Sequence, residues 1–337
     1  MKVFFGTVIR NAPVREGGEL IRLDWDTKKI EAKVPIFPSN PDLDHDPNPR
    51  GNSRGCRGID LWNDHLIATT YHTVKIFDQN LVHQRDFSHN LMVGVHEIHG
   101  QENKVWLSST AIDATLEYDL ETETLTNQFW PREIPELQEK FNLTPLKIEK
   151  KEDQRCNFLS SDHTRHPSHL HLNAVAQWQG EVYALFNSFG AIVNLTRKKV
   201  VIEDLALKKG HNLFVLEDGT AITNDTKGQT VRFYDLSRQE LIKNLNLRQF
   251  TWIQNLEKIA KIKDIPKKIS AKLSGSKSSV AQPLFVRGLD WNKKTNLIFV
   301  GISPASIFCL DWTTERLVDA YNYSHNVRAC IHGLKVV

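Results

Sequence analysis

Apolar and polar residues alternate in short runs along the whole chain, and the runs recur as one phrase: an alternating segment, a turn, and a second segment. Six copies stand out: LIRLDWDTKKIEAKV from Leu20, VKIFDQNLVHQRDF from Val74, LEYDLETETLTNQF from Leu116, IVNLTRKKVVIEDL from Ile192, VRFYDLSRQELIKNL from Val231 and IFCLDWTTERLVDAY from Ile307. Alternation every second residue buries one face of a strand, and the Asp and Thr punctuation predicts a tight hairpin within each phrase. Another pair of strands precedes the phrase, clearest in RGIDLWNDHLIATT from Arg57, HEIHGQENKVWLSST from His96, NAVAQWQGEVYALF from Asn173, HNLFVLEDGTAITND from His211 and RGLDWNKKTNLIFVG from Arg287. Repeats of this length predict a propeller. Five copies are complete. The sixth is split between IHGLKVV from Ile331, an innermost strand, and KVFFGTVI from Lys2, an outer strand. The expected fold is therefore all-β, a six-bladed β-propeller whose N- and C-terminal strands share one blade and leave no open sheet edge.

Because the repeat spans both termini, residues 1–337 read as a single β-propeller domain. Three segments interrupt it: residues 36–56, dense in Pro, Asn, Asp and Gly; residues 130–170, with the amphipathic PREIPELQEKFNL and then DHTRHPSHL; and residues 248–284, with FTWIQNLEKIAKIKDIPKKISAKL. Each joins the last strand of one blade to the first strand of the next. All three therefore emerge on one face and are expected to form a partly helical lid, with a platform for a docked protein partner as the alternative.

Net charge of +3 and a pI near 8.5, with Lys and Arg spread over all blades, give no footprint for nucleic acid. No apolar run approaches the roughly 20 residues of a membrane span, and the first ten residues read as a strand rather than a secretory leader. Cys56, Cys156, Cys309 and Cys330 lack paired spacing and read as reduced thiols of a cytoplasmic protein. There is no GxSxG elbow, Walker loop or GxGxxG after a strand, so serine hydrolase, nucleotidase and dinucleotide chemistry lack support.

Aligning the innermost strands puts Arg57, His96, Asn173, His211, Arg287 and His332 at one station facing the central channel, with His171 two residues before Asn173 on the same face. The phrase SHN-x5-H occurs twice, as Ser88-His89-Asn90 with His96 and as Ser324-His325-Asn326 with His332. Of fourteen histidines, eleven fall in top connections or innermost strands, including His45, His163, His166 and His169. Neutral imidazole suits iron, zinc and copper, and His96, His171, His211 and His332 are the expected ligands of a transition metal ion. No acidic residue occupies the station, which argues against calcium or magnesium. Arg57 and Arg287 predict a small anionic ligand, held with Asn173, because forked guanidinium donors match carboxylate or phosphate. Arg57, Arg287, His89 and His325 are the expected catalytic side chains. Ion pairing of the two arginines with Asp42 or Asp44 of the first insertion is the bland alternative. Asp113 and His99 read as turn or blade-packing residues, and Trp62, Trp106, Trp178 and Trp291 as blade packing.

These repeats resemble six-bladed propellers of the NHL, gluconolactonase and strictosidine synthase type, and HLNAVA and IHGL look like segments of bacterial propeller proteins with His-Asn or His-Gly at the channel. The calcium-dependent lactonase-like members bind their ion through Glu, Asn and Asp. Asn173 matches one such position, but the neighbouring stations hold His and Arg, a departure that speaks against lactonase activity. Carotenoid oxygenases are similar in holding ferrous iron on four histidines from separate blades of a longer, seven-bladed ring, an analogy only. The reading leans to an enzyme, an oxidoreductase or a hydrolase or lyase, using a histidine-bound metal on an anionic substrate. The alternative is a non-catalytic propeller that binds an anion or docks a protein on its top face.

Overall fold

The computed structural model describes residues 1–44, 46, 53–159, 161–273 and 284–337. His45 and Arg50 of the first insertion lie outside the described residues. The chain begins with β1 (Lys2–Ile9), β2 (Glu19–Asp24) and β3 (Lys29–Pro35). The second sheet is β4 (Ile59–Trp62), β5 (His65–Thr69), β6 (Val74–Phe77) and β7 (His83–Phe87), and the third β8 (Val95–Gln101), β9 (Lys104–Ser109), β10 (Ala114–Asp119) and β11 (Thr124–Phe129). Then follow β12 (Leu172–Trp178), β13 (Glu181–Phe186), β14 (Ala191–Asn194) and β15 (Lys199–Glu203), and after them β16 (His211–Val215), β17 (Thr220–Asp225), β18 (Thr230–Asp235) and β19 (Glu240–Asn246). The last complete sheet is β20 (Val286–Asn292), β21 (Leu297–Ile302), β22 (Ser306–Asp311) and β23 (Arg316–Asn322), and the final strand, β24 (Ala329–Val336), pairs antiparallel with β1. The result is six four-stranded sheets, each in simple up-and-down order, with β24, β4, β8, β12, β16 and β20 innermost and in contact around a closed circuit. This is the six-bladed propeller with a shared blade that the repeat predicts.

The punctuation of the phrase has a single mechanism. In all six sheets the third strand ends in Asp or Asn, at Asp24, Asp78, Asp119, Asn194, Asp235 and Asp311. Each side-chain oxygen accepts a backbone N–H from inside the turn, from Thr27, Asn80, Thr122, Arg197, Arg238 and Thr314 respectively. Short polar side chains cap their own turn in this way, and the chain then passes a left-handed residue, Lys28, Leu81, Glu123, Lys198, Gln239 or Glu315, into the fourth strand.

Between sheets the core is apolar: Val3, Phe5, Ile21, Phe299, Ile307, Ile331 and Leu334 pack where the shared blade meets its neighbour. Trp62 and Trp106 are buried and Trp178 and Trp291 partly so, all in blade packing. The insertions pack on the same upper rim. Leu43 of the first enters the core of the second and third sheets. In the second, helix α1 (Pro135–Phe141) buries Leu137 between the third and fourth sheets, and the following segment crosses to the second sheet, where Asn90 Nδ2 donates to Lys150 O at 3.1 Å and Tyr71 Oη to Phe158 O at 3.0 Å. Asn40 Nδ2 reaches Cys156 Sγ at 3.4 Å, so the two insertions touch. Helix α2 (Thr251–Leu273) rests Ile253 and Leu256 on the fifth and sixth sheets.

Close backbone approach in the closing blade makes one test specific. A Cβ at Gly301 would lie 2.6 Å from Ile331 Cγ2. Gly301→Ala is expected to destabilise by about 1–3 kcal/mol through overpacking and Ile331→Ala by about 2–5 kcal/mol through a cavity. Because Ile331→Ala removes the clashing atom, the double variant should lose less than the sum of the two, as measured by urea unfolding; additive losses would refute the contact.

Candidate functional site

Five of the innermost strands carry a β-bulge, four where they begin and β24 in mid-strand, and the bulge builds the site. Extra residues stand at His96 and Glu97 opposite Ser108, at Asn173, at Asn212 and Leu213 opposite Thr223, at Arg287, and at His332 and Gly333 opposite Gly6. A bulge re-aims side chains and leaves main-chain groups without ladder partners. Hydroxyls supply some of those partners: Glu97 N donates to Ser108 Oγ at 3.0 Å, and Thr223 Oγ1 donates to Asn212 O at 2.8 Å. Side chains that strict alternation would separate are thus gathered at one end of the channel.

Four histidines converge there. Ring centroids are 5.5 Å apart for His96 and His171, 5.8 Å for His96 and His332, 5.7 Å for His211 and His332, and 6.5 Å for His96 and His211. Three rings are tied to main-chain carbonyls through Nδ1: His96 to Gly94 at 3.0 Å, His211 to Lys209 at 3.0 Å, and His332 to Arg57 at 3.1 Å. A carbonyl only accepts, so each Nδ1 carries the proton and each Nε2 keeps its lone pair. The Nε2 of His332 is buried with no hydrogen-bond partner. Burial, reinforced by Arg57 for His96 and by Arg287 for His211 and His332, holds all three well below the ordinary histidine range. Burial with His169 and Arg287 pushes His171 down to about 3. At neutral pH the group is four neutral imidazoles.

Arg57 and Arg287 stand beside them. Nη1 of Arg57 lies 3.1 Å from His96 Nε2 and 3.2 Å from its Nδ1, facing both ring nitrogens. The Nε of Arg287 is buried without a partner, and its guanidinium lies over the Phe285 ring at 5.4 Å. Burial lowers Arg57 to about 10 and, with Arg10, Arg287 to about 9, so both stay charged. Of the first insertion's carboxylates, Asp44 pairs with Arg15 at 2.7 Å, and Asp46 pairs with Arg54 at 3.7 Å and also favours the charged form of Arg57. Asn173 donates to Gly210 O at 2.8 Å and leaves its Oδ1 buried and without a partner.

The station also holds a carboxyl, contrary to the sequence expectation. The bulge turns Glu97 toward the channel, where it meets the Asn212 side chain and stands 3.5 Å from His332 Nδ1. Burial raises it well above the carboxylate range, against the pull of Asn212, Arg287 and Arg57. The other end of the channel is self-neutralised: Lys335 meets Asp60 at 2.7 Å and Asp290 at 3.9 Å, and burial lifts Asp290 to about 6.

The structure does not bring His89 and His325 to this group. His89 packs on Tyr118, its Nδ1 2.9 Å from the phenol oxygen, in the outer part of the third sheet. His325 is exposed and borders a surface depression of about 530 Å³ with Lys263, Asn326 and Arg328. The shared SHN-x5-H phrase is a loop-and-strand repeat whose inner histidine reaches the channel while the outer one does not. His166 is an exposed turn residue, and His163 and His169 continue the row of rings outward from His171 at 5.4 Å per step. Sequence reasoning missed Glu97 and Asp113. A bulge has no local sequence mark, and the partners of Asp113 lie 56 to 58 residues away.

No family model matches the chain, and no curated protein matches it. Among solved structures, a protein of unknown function from Bacteroides caccae is similar over 99% of this chain and 97% of its own, with a TM-score of 0.55 and 8% identity. The β-propeller domain of Cps50 (Swd1) from Myceliophteria thermophila covers 92% of this chain and 81% of its own, with a TM-score of 0.47 and 9% identity. At such identities the likeness is one of fold. It does not reach the NHL, gluconolactonase or strictosidine synthase type.

The depressed imidazoles make a pH prediction whose sign is fixed. An unfolded histidine takes its proton near pH 6.5, before the folded ones do, so their contribution is complete above that pH and is lost on acidification. Glu97, raised, acts in the opposite direction, contributing below its unfolded range and losing that contribution as pH rises. Urea midpoints of chelator-treated protein should fall from pH 7 to pH 4, and His171→Asn should flatten the stability slope below pH 6 by about 1.4 kcal/mol per pH unit. An unchanged slope would refute the assignment for His171.

Proposed function

We propose that the chain is an enzyme for a small anionic molecule, working at the histidine end of its channel with a first-row transition metal ion. What carries this reading is the convergence of four neutral imidazoles, three of them with Nδ1 tied back to a carbonyl and the Nε2 lone pair left over. Metal-bound histidines characteristically have their second nitrogen held by a carbonyl or carboxylate in this way. Among the described residues, no three His, Cys, Asp or Glu side chains already stand at metal-holding distance. A metal–nitrogen bond of about 2.1 Å places each ring centroid about 3.2 Å from the ion, and four such rings in a tetrahedron are about 5.2 Å apart. Four of the six ring pairs stand 5.5 to 6.5 Å apart, near that spacing.

His96, His171, His211 and His332 would hold the ion, with Arg57 moving off the His96 ring. A bound ion supplies Lewis acidity or redox chemistry beside the substrate. Arg287 and Arg57 offer forked donors to the substrate's carboxylate or phosphate, and Asn173 a further polar contact. Glu97, kept protonated by burial, is placed to donate or take up a proton on the channel side. The contact of Arg57 with His96 favours one second reading, a metal-free anion-binding propeller.

Untagged protein should contain near-stoichiometric iron, zinc or copper by elemental mass spectrometry, and a His96→Ala, His332→Ala double variant should lose it while keeping its circular dichroism. Protein that stays metal-free after anaerobic reloading with each ion would leave the anion-binding reading. Under either reading Arg287→Gln should weaken binding of inorganic phosphate or succinate about 10- to 100-fold by calorimetry, in line with a lost charged hydrogen bond. Unchanged affinity for both probes would remove Arg287 from the site.

A further inference from the structure

Asp113 lies outside the imidazole group, on the turn between β9 and β10 of the third sheet, yet its carboxylate is bonded to the segment that delivers His171 from the fourth. It accepts from His169 Nδ1 at 3.1 Å, Leu170 N at 3.1 Å and His171 N at 3.0 Å. Arg132 Nη1 stands 3.5 Å from the same carboxylate. Asp113 is 1% exposed. Both ends of the contact are unusual: Asp113 has φ of 53° and His171 of 52°, left-handed backbone that residues with a Cβ adopt at a cost. Behind His171 stands the His169 ring, 5.4 Å away and near perpendicular, buried, its Nδ1 on Asp113.

We infer that Asp113 is the positioning residue for His171: it clamps three consecutive residues of the neighbouring blade, holds His171 in its left-handed turn, and with the His169 ring as a brace sets the His171 imidazole against His96. Apolar packing alone does not call for this arrangement. Leu170 and Leu172 already bury the segment in the apolar core of the fourth sheet, and a small hydroxyl or amide could cap one N–H, whereas a carboxylate is needed to accept three donors at once. The consequence for metal binding rests on the proposed function. Removing a partner that orients a ligand lowers metal affinity typically 10- to 100-fold.

The test is a double-mutant cycle. Zinc affinity is measured by chelator competition for full-length wild type, Asp113→Asn, His171→Ala and the pair, with thermal midpoints alongside. If Asp113 acts through His171, Asp113→Asn weakens zinc binding 10- to 100-fold and the pair is no weaker than His171→Ala alone. Losses that add, or a lowered midpoint with unchanged zinc affinity, would overturn the inference. His169→Ala keeps the carboxylate and removes only the brace, so it should lower zinc affinity several-fold even where Asp113→Asn fails to fold; unchanged affinity in a folded His169→Ala would also count against the inference. Should wild type bind no zinc, iron or copper, the metal reading fails separately. Positioning is then decided by the crystal structure of Asp113→Asn, where a His171 still left-handed and against His96 would overturn it.

Discussion

Everything at the histidine end depends on the ladder between β24 and β1. It runs from Val3 opposite Val336 to Ile9 opposite Ala329, and it turns an open row of five sheets into a ring by ordinary antiparallel pairing. Closure brings β24 against β4, and a Cβ at Gly333 would meet Ile59 Cγ1 at 2.7 Å and Arg57 O at 3.0 Å. That absence of a side chain lets the Arg57 carbonyl reach His332 Nδ1. The bond that joins two blades is therefore also the bond that fixes the tautomer of a channel histidine. The fold and the site share a constraint at this point.

Most of the architecture was legible because it repeats. Period-two alternation marks strands, and an Asp or Asn at the end of each third strand marks the turn, since its side chain caps the turn's own N–H groups. The station holding Arg57, His96, Asn173, His211, Arg287 and His332 follows from aligning copies. What was not legible is what breaks the period. Glu97 follows His96 directly, and strict alternation sends it to the opposite face. A bulge opposite Ser108 reverses that, and nothing local in HEIHG announces it. His89 and His325 show the converse error: equal spacing from a channel histidine fixes sequence distance, not direction, because the intervening residues are loop.

Asp113 illustrates a further limit. An Asp before a strand looks like any turn residue, and its left-handed backbone fits that role. Only the pairing of the third and fourth sheets reveals that its oxygens face three donors of another blade. Long-range polar contacts of this kind leave no periodic trace, whereas apolar packing does. The site is thus harder to read than the fold for a physical reason: it is assembled from exceptions to the repeat.

The two ends of the channel differ in how they balance charge. At the far end Lys335 lies between Asp60 and Asp290, and burial brings Asp290 toward neutrality, so the cluster is close to charge balance without help. At the histidine end two buried guanidinium groups face four neutral imidazoles and a carboxyl that burial biases toward its protonated form. The guanidinium charges repel: Arg10 weakens the hold of both on their protons, and Arg57 that of Arg287. A divalent ion on the imidazoles would add to that repulsion, and an anion lying between metal and arginines would relieve it. Metal and anion are therefore expected to bind cooperatively, each lowering the cost of the other, and neutral imidazoles are what make the sequence workable: charged ones would leave no lone pairs for the ion and no room for a further cation.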